Sequence, residues 1–256
     1  SNGATLQLQG GETVTASTKT LSSGSTVIYY GSGSYTGLSM GNAYHHLTFN
    51  GSGSWTQTGA LDANGNLTIS AGTLNSNGQN VNVAGNWSNS GTYTSGSNTV
   101  TLDGTSQSIT GNNTFNHFTK SVTSAATLTF AASSTTTVNG TATLNGAAGQ
   151  LLSLRSSSSP TRWNFSLGAS ASKSISYVDV QDSDASGSSG AKLPILPTNS
   201  VDSGNNIAWF SITISGTVYS NEGVTNVGAN KTVRLLANGS SIGTANTNAS
   251  GQFSIS

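Results

Sequence analysis

The stretch TVIYYGSGSYTG (26–37) is answered by TVTLDGTSQSITG (99–111). Each has an alternating strand, a glycine, a polar turn and a second short strand ending in Thr-Gly. A histidine word follows each time, YHHLTF (44–49) and FNHFTK (115–120), with Tyr44 and Phe115 as their leading aromatics. Between them, GNLTISAGTLNSNGQNVNVAGNWSNSGTYTSGSNTVTL (65–102) alternates apolar and polar residues in short runs cut by N-G, S-G and N-S-G turn words. Alternation gives each strand one buried face. Words restated at a long, nearly fixed spacing favour a solenoid over a sandwich or barrel, because each coil of a solenoid buries its face only against its neighbours.

If the interval from Tyr44 to Phe115 makes three coils, each coil has about 24 residues, and the two histidine words mark one corner of the coil, restated three turns later. A second spacing agrees: YVDV (177–180) and SVDS (200–203) set Asp179 and Asp202 one such coil apart, which predicts that they stack one above the other. The composition fits such stacking. Charged residues make up 6% of the chain, against about 25% in an ordinary globular protein. Like charges stacked on neighbouring strands repel, whereas Asn, Ser and Thr stack without that cost. The same residues, with 32 glycines, are poor helix formers, so almost no helix is expected.

Eight basic and eight acidic side chains give a net charge of zero. A surface so sparsely charged cannot neutralise a run of phosphates, which argues against nucleic acid as a partner. No apolar run reaches the roughly 18 residues of a membrane span. Cysteine is absent, which removes disulfides and thiolate metal sites. The wealth of Ser, Thr and Asn suggests an extracellular or cell-surface setting, and Ser1 reads as a processed or trimmed end.

The words TVTLDGTSQSITGNNTFNHFT and SISYVDVQDSDASG, the latter followed by NSVDSGNNIAWF, resemble the β-helical repeat regions of large secreted bacterial surface proteins. The resemblance covers roughly residues 26–210 and implies surface-exposed scaffold or adhesive material, with no catalytic residues to carry over. After Phe210 the text changes. The stretch ITISGTVYSNEGVTNVGANKTVRLLANGSSIGTANTNASGQFSIS is similar to the start of small Ig-like modules that resemble carboxypeptidase regulatory domains. Such a sandwich needs about seven strands, and about four fit before Ser256. Either the chain continues, or a neighbouring chain supplies the missing strands by β-augmentation.

Four candidate chemistries stand against this scaffold. His46 and His117, three coils apart, would be roughly 14 Å from each other, too far to share a zinc ion. Asp179, Asp182, Asp184 and Asp202 share the short segment 179–202, and DSDASG (182–187) opens like an EF-hand loop. Its twelfth position is Leu193 where a bidentate Glu is required, so a looser Ca²⁺ site is the candidate, and Ca²⁺ the one candidate cofactor. Paired carboxylates with Lys or Arg build the clefts of β-helical polysaccharide-active enzymes, but no spacing here points to one. Trp87 and Trp163 are candidate platforms for sugar rings, the alternative being that they fill the core. Thr-x-Thr pairs (127/129, 135/137, 141/143) do not recur at the coil spacing along the chain.

The expectation is an all-β chain: a right-handed parallel β-helix over 1–210, then an incomplete Ig-like β-sandwich over 211–256. The expected function is that of a non-enzymatic extracellular structural protein, a surface or filament subunit that forms homo-oligomers through its terminal β module. A carbohydrate-binding adhesin, with glycans as partners, and a polysaccharide-active enzyme are the alternatives.

Overall fold

A computed structural model describes residues 3–15, 19, 21–211, 214–237 and 240–255. The chain divides into two compact units, Ser1–Phe210 and Ser211–Ser256. The first is a parallel β-solenoid of about nine turns, in which all pairings between strands are parallel. Among the described residues the only helix is a single 3₁₀ turn, Gly190–Lys192, and no helix is long and apolar enough to cross a membrane.

Three sheets run along the solenoid. The first climbs from Thr5–Leu8 through Thr26–Tyr29, His46–Thr56 and Leu67–Asn75 to Val178–Val180 and Val201–Asp202. The second has seven strands, from Ala43–Tyr44 to Ser172–Ser176. The third has four: Asn113–Phe115, Thr135–Val138, Trp163–Leu167 and Ser183–Asp184. One coil shows the plan. Thr127 and Thr129 lie on the first sheet, Thr135 and Thr137 on the third, and Thr141 and Thr143 on the second. The Thr-x-Thr pairs thus mark three sides of a single turn.

The coil is shorter than the spacing of the histidine words suggests. On the first sheet Val27, Leu47, Leu67 and Trp87 stack one above the other at a constant interval. On the second, Tyr44, Ala63, Val83 and Leu102 form the equivalent column. Three turns from Tyr44 reach Leu102, and a fourth reaches Lys120. Phe115 falls between those two levels, so the two words are not separated by a whole number of coils. YHHLTF therefore leads onto the first sheet and FNHFTK onto the second. They are not one corner restated. Coils lengthen later, between Leu128, Leu154 and Val180, where the turns around Ala147–Gln150 and Ser157–Arg162 add residues.

Inward positions of the sheets are buried and mostly apolar, with a few polar side chains such as Asn113, Thr136 and Lys120 among them. Tyr29, Phe49 and Trp55 form one aromatic group, with ring centroids 5.2–6.3 Å apart. Trp87, Tyr93, Phe115 and Phe118 form another. Phe130 lies flat on Trp163 at 3.7 Å, and Phe165 stacks on Trp209. Each such ring buries roughly 150–250 Å², at about 25 cal/mol per Å². This supplies the driving force that a narrow solenoid cannot draw from a wide core.

Corners are held by side chains that replace backbone carbonyls. The Asn66 N–H donates to His46 Nδ1 (2.9 Å), the Asn86 N–H to Asn66 Oδ1 (2.9 Å) and the Ser108 N–H to Asn86 Oδ1 (2.8 Å). Each side chain thereby satisfies an amide of the next coil where the ladder is interrupted. That is a physical reason for the asparagine content, since a short neutral acceptor fits at every level.

The second unit has two antiparallel pairs, Ile214–Thr217 with Gln252–Ile255 and Thr232–Ala237 with Ser240–Asn246. Among the described side chains its one buried hydrophobic is Ile255. Tyr219, Val224 and Leu236 are exposed, Val224 by 82%.

Candidate functional site

The four aspartates lie in the last coils, each occupied locally. Asp179 pairs with Arg155 through Oδ2, and its Oδ1 accepts a hydrogen bond from Ser203 Oγ at 2.6 Å. Arg155 also donates to the carbonyls of Leu154 and Asp179. Asp182 is buried, has a positive φ of 56° and accepts from Asn205 Nδ2 at 2.6 Å. Asp184 accepts the Ser186 N–H (2.8 Å), and Asp202 accepts the Gly204 N–H (2.9 Å) and Asn206 Nδ2 (2.6 Å).

The predicted stack of Asp179 on Asp202 does not form. Asp179 lies opposite Val201, and Asp202 opposite Val180. The coil there is one residue shorter than the two words imply, and a slip of one residue reverses the face a side chain occupies. Asp184, opposite Asn164, belongs to a different sheet. Among the described residues no three His, Asp or Glu side chains are grouped so that they could hold a metal ion.

The tryptophan expectation is corrected too. Trp87 and Trp163 have no exposed surface. Trp87 Nε1 donates to Asn113 Oδ1 at 2.7 Å, with Tyr93 and Phe115 edge-on to its ring, and Trp163 is stacked against Phe130. Neither offers a face to a sugar. Both sit at inward positions of alternating strands, where period two alone would have placed them.

The histidines act as corner acceptors. His117 Nδ1 accepts the Thr141 N–H at 2.9 Å, as His46 Nδ1 accepts that of Asn66. Each ring lies over a glycine of the next coil. A Cβ on Gly65 would come 2.6 Å from His46 Nδ1, and one on Gly140 2.8 Å from His117 Nδ1. The two words are therefore the same local device at different corners. Burial and the neighbouring His45 hold the His46 pKa below the usual histidine value.

A buried cation went unnoticed in the sequence. Lys120 is wholly enclosed, and its Nζ donates to the Gly104 carbonyl, the Thr105 carbonyl (2.8 Å) and Gln107 Oε1 (2.5 Å). Gln107 Nε2 in turn donates to the carbonyls of Val83 and Gly85. The ammonium ties the 103–107 turn to two coils. Burial lowers its pKa to about 8, against a smaller opposing pull from Asp103. The signal was present in HFTKS, where alternation puts Phe118 and Lys120 on the same inward face.

A surface cleft of about 300 Å³ lies near the start of the solenoid, lined by residues including Glu12, Ser34, Tyr35 and Ser39. Tyr35 stacks on Trp55 at 5.6 Å, and the Glu12 carboxylate accepts the amides of Gln9 and Gly10. Burial works to raise the Glu12 pKa, but those amide hydrogen bonds outweigh it and leave the pKa below the usual carboxylate value.

These features define a β-solenoid whose polar groups are largely consumed by coil-to-coil bonding. No protein-family model, curated protein or solved structure matches the chain.

Proposed function

We propose that the chain is a non-enzymatic structural element of an extracellular surface or filament. The first unit, a right-handed β-helix by the handedness rule for parallel crossovers, acts as a spacer. The second acts as an incomplete Ig-like module that accepts strands from a second copy. The observation that carries this reading is the state of the second unit: two separate two-stranded sheets, a single buried hydrophobic among the described side chains, and exposed Tyr219, Val224 and Leu236. Between its strands an open groove of about 470 Å³ is lined by Ser215–Thr217 and Gln252–Ser254. Isolated two-stranded ribbons are marginal in water, and added strands would cover the edges and the apolar residues.

Light scattering and electron microscopy on the whole chain test this reading. Concentration-dependent oligomers or filaments are expected, and they should be weakened by Val224→Asp or Leu236→Asp. Monomers at high concentration would overturn it. The adhesin alternative now draws on the Tyr35 cleft, where an aromatic ring, Glu12 and two serine hydroxyls meet. Retention on a glycan array, lost on Tyr35→Ala, would favour it.

A further inference from the structure

Five Asn-Gly pairs lie wholly within the described residues: Asn50–Gly51, Asn64–Gly65, Asn77–Gly78, Asn139–Gly140 and Asn145–Gly146. The fold treats one of them differently. The Gly65 amide donates to the His45 carbonyl (2.7 Å), that of Gly140 to Asn116 (2.7 Å) and that of Gly146 to Ser176 (3.1 Å). Asn50 and Gly51 lie inside the strand His46–Thr56, with the carbonyl of Gly31 against Gly51. Gly78 is outside any strand, and among the described residues its amide has no acceptor.

The cause is the stacking of two turns. Asn77 and Gly78 have φ values of 51° and 76°, and the Gln79 N–H bonds to the Ser76 carbonyl, which makes Ser76–Gln79 a type I′ turn. One coil on, Gly96 turns toward Gly78 the side on which a Cβ would sit, 2.9 Å from the Gly78 nitrogen. A bare α-carbon stands where the amides of Gly65, Gly140 and Gly146 meet a carbonyl. Asn77 itself is exposed to solvent.

We infer that Asn77 is a self-modifying site, converted to aspartate and isoaspartate by its own backbone with water as the only co-reactant. The Gly78 nitrogen gives up its proton to solvent and attacks Asn77 Cγ. The Cγ–Nδ2 bond breaks, ammonia leaves, and a five-membered succinimide closes. Water then opens the ring. Addition at Cγ gives aspartate, and addition at the former backbone carbonyl carbon gives isoaspartate, which lengthens the main chain by a methylene. The sum is one water consumed and one ammonia released. The product places one negative charge on an outer corner of a chain whose net charge is zero.

In the other four pairs the glycine nitrogen is held by the ladder or packed within a strand, so reaction there requires local opening of the solenoid. The test is peptide mapping by mass spectrometry on the whole folded chain, aged in mildly alkaline buffer, beside the same chain in denaturant. In denaturant all five asparagines should convert at comparable rates, because their local chemistry is the same. In the folded chain Asn77 should lead the other four by at least about tenfold, and an isoaspartyl-specific methyltransferase should label its peptide. Conversion of Asn50, Asn64, Asn139 or Asn145 as fast as Asn77 would overturn the inference. So would an intact Asn77 after the denatured sample has reacted.

Discussion

Lys120 stands in register with Leu144 on the next coil of the second sheet, and both side chains point into the core. The column that holds them otherwise carries Tyr44, Ala63, Val83 and Leu102 below, so one ammonium interrupts a line of apolar groups.

Its protonation links stability to pH. The folded pKa is about 8, against about 10.4 in the unfolded chain. Between these values the unfolded state binds more protons, so unfolding free energy rises with pH there. From pH 8 to pH 10 the expected gain is up to about 2 kcal/mol, at about 1.4 kcal/mol per unit. Above pH 10 the tyrosines Tyr29, Tyr44 and Tyr93, whose pKa values burial raises, pull the other way. Denaturant titrations should show the rise in the native chain and a flatter profile in Lys120→Met. Lys120→Ala, which leaves Gly104, Thr105 and Gln107 without a donor, should cost about 3–5 kcal/mol.

His46 sets a second pH dependence, on the acid side. Its folded pKa lies below its unfolded value of about 6.5, so the unfolded state takes up the proton first. Stability is therefore full above that value and falls as pH drops below it. His46→Asn keeps a corner acceptor of the kind that Asn66 and Asn86 already supply. It should match the native chain at pH 7 and lose less stability at pH 5, as read by thermal melts. His46→Ala leaves the Asn66 N–H unpaired and should cost about 1 kcal/mol at pH 7.

Burial of the tryptophans is checked by fluorescence. Trp55, Trp87, Trp163 and Trp209 all have no exposed surface. Emission should be blue-shifted and nearly immune to acrylamide, and soluble sugars should leave it unchanged. Phe130→Ala removes the ring stacked on Trp163 and should cost about 3–5 kcal/mol, with a red shift from the loosened indole. Strong quenching of the native chain would contradict the packing.

Alternation was enough to foretell the sheets, because period two records which face is buried whatever the partner strand. It could also have placed Trp87, Trp163 and Lys120 inward. What alternation does not carry is the length of the turns between strands. Coils grow or shrink with turns such as Ser157–Arg162, and a mismatch of a single position unstacked Asp179 from Asp202. The same uncertainty put the two histidine words at one corner, although they are one device used at two. Hydrogen-bond acceptors at corners were equally hidden, since an asparagine in a turn word looks alike whether or not its amide oxygen serves the next coil.

That device can be tested by removing either half. Gly65 has a negative φ, so alanine there meets no backbone penalty, only the rings of His46 and His45 within 2.6–2.8 Å. Gly65→Ala must displace the His46 ring and with it the acceptor of the Asn66 N–H, at an expected cost of about 1–3 kcal/mol. In His46→Ala most of the obstruction is gone, and the Asn66 bond has already been lost. The double variant Gly65→Ala/His46→Ala should therefore be more stable than the sum of the single losses predicts, by about 0.5–2 kcal/mol. Chemical denaturation of the four chains measures this coupling. Strict additivity would mean that ring and glycine do not touch, and that the histidine words carry no packing role at the corner.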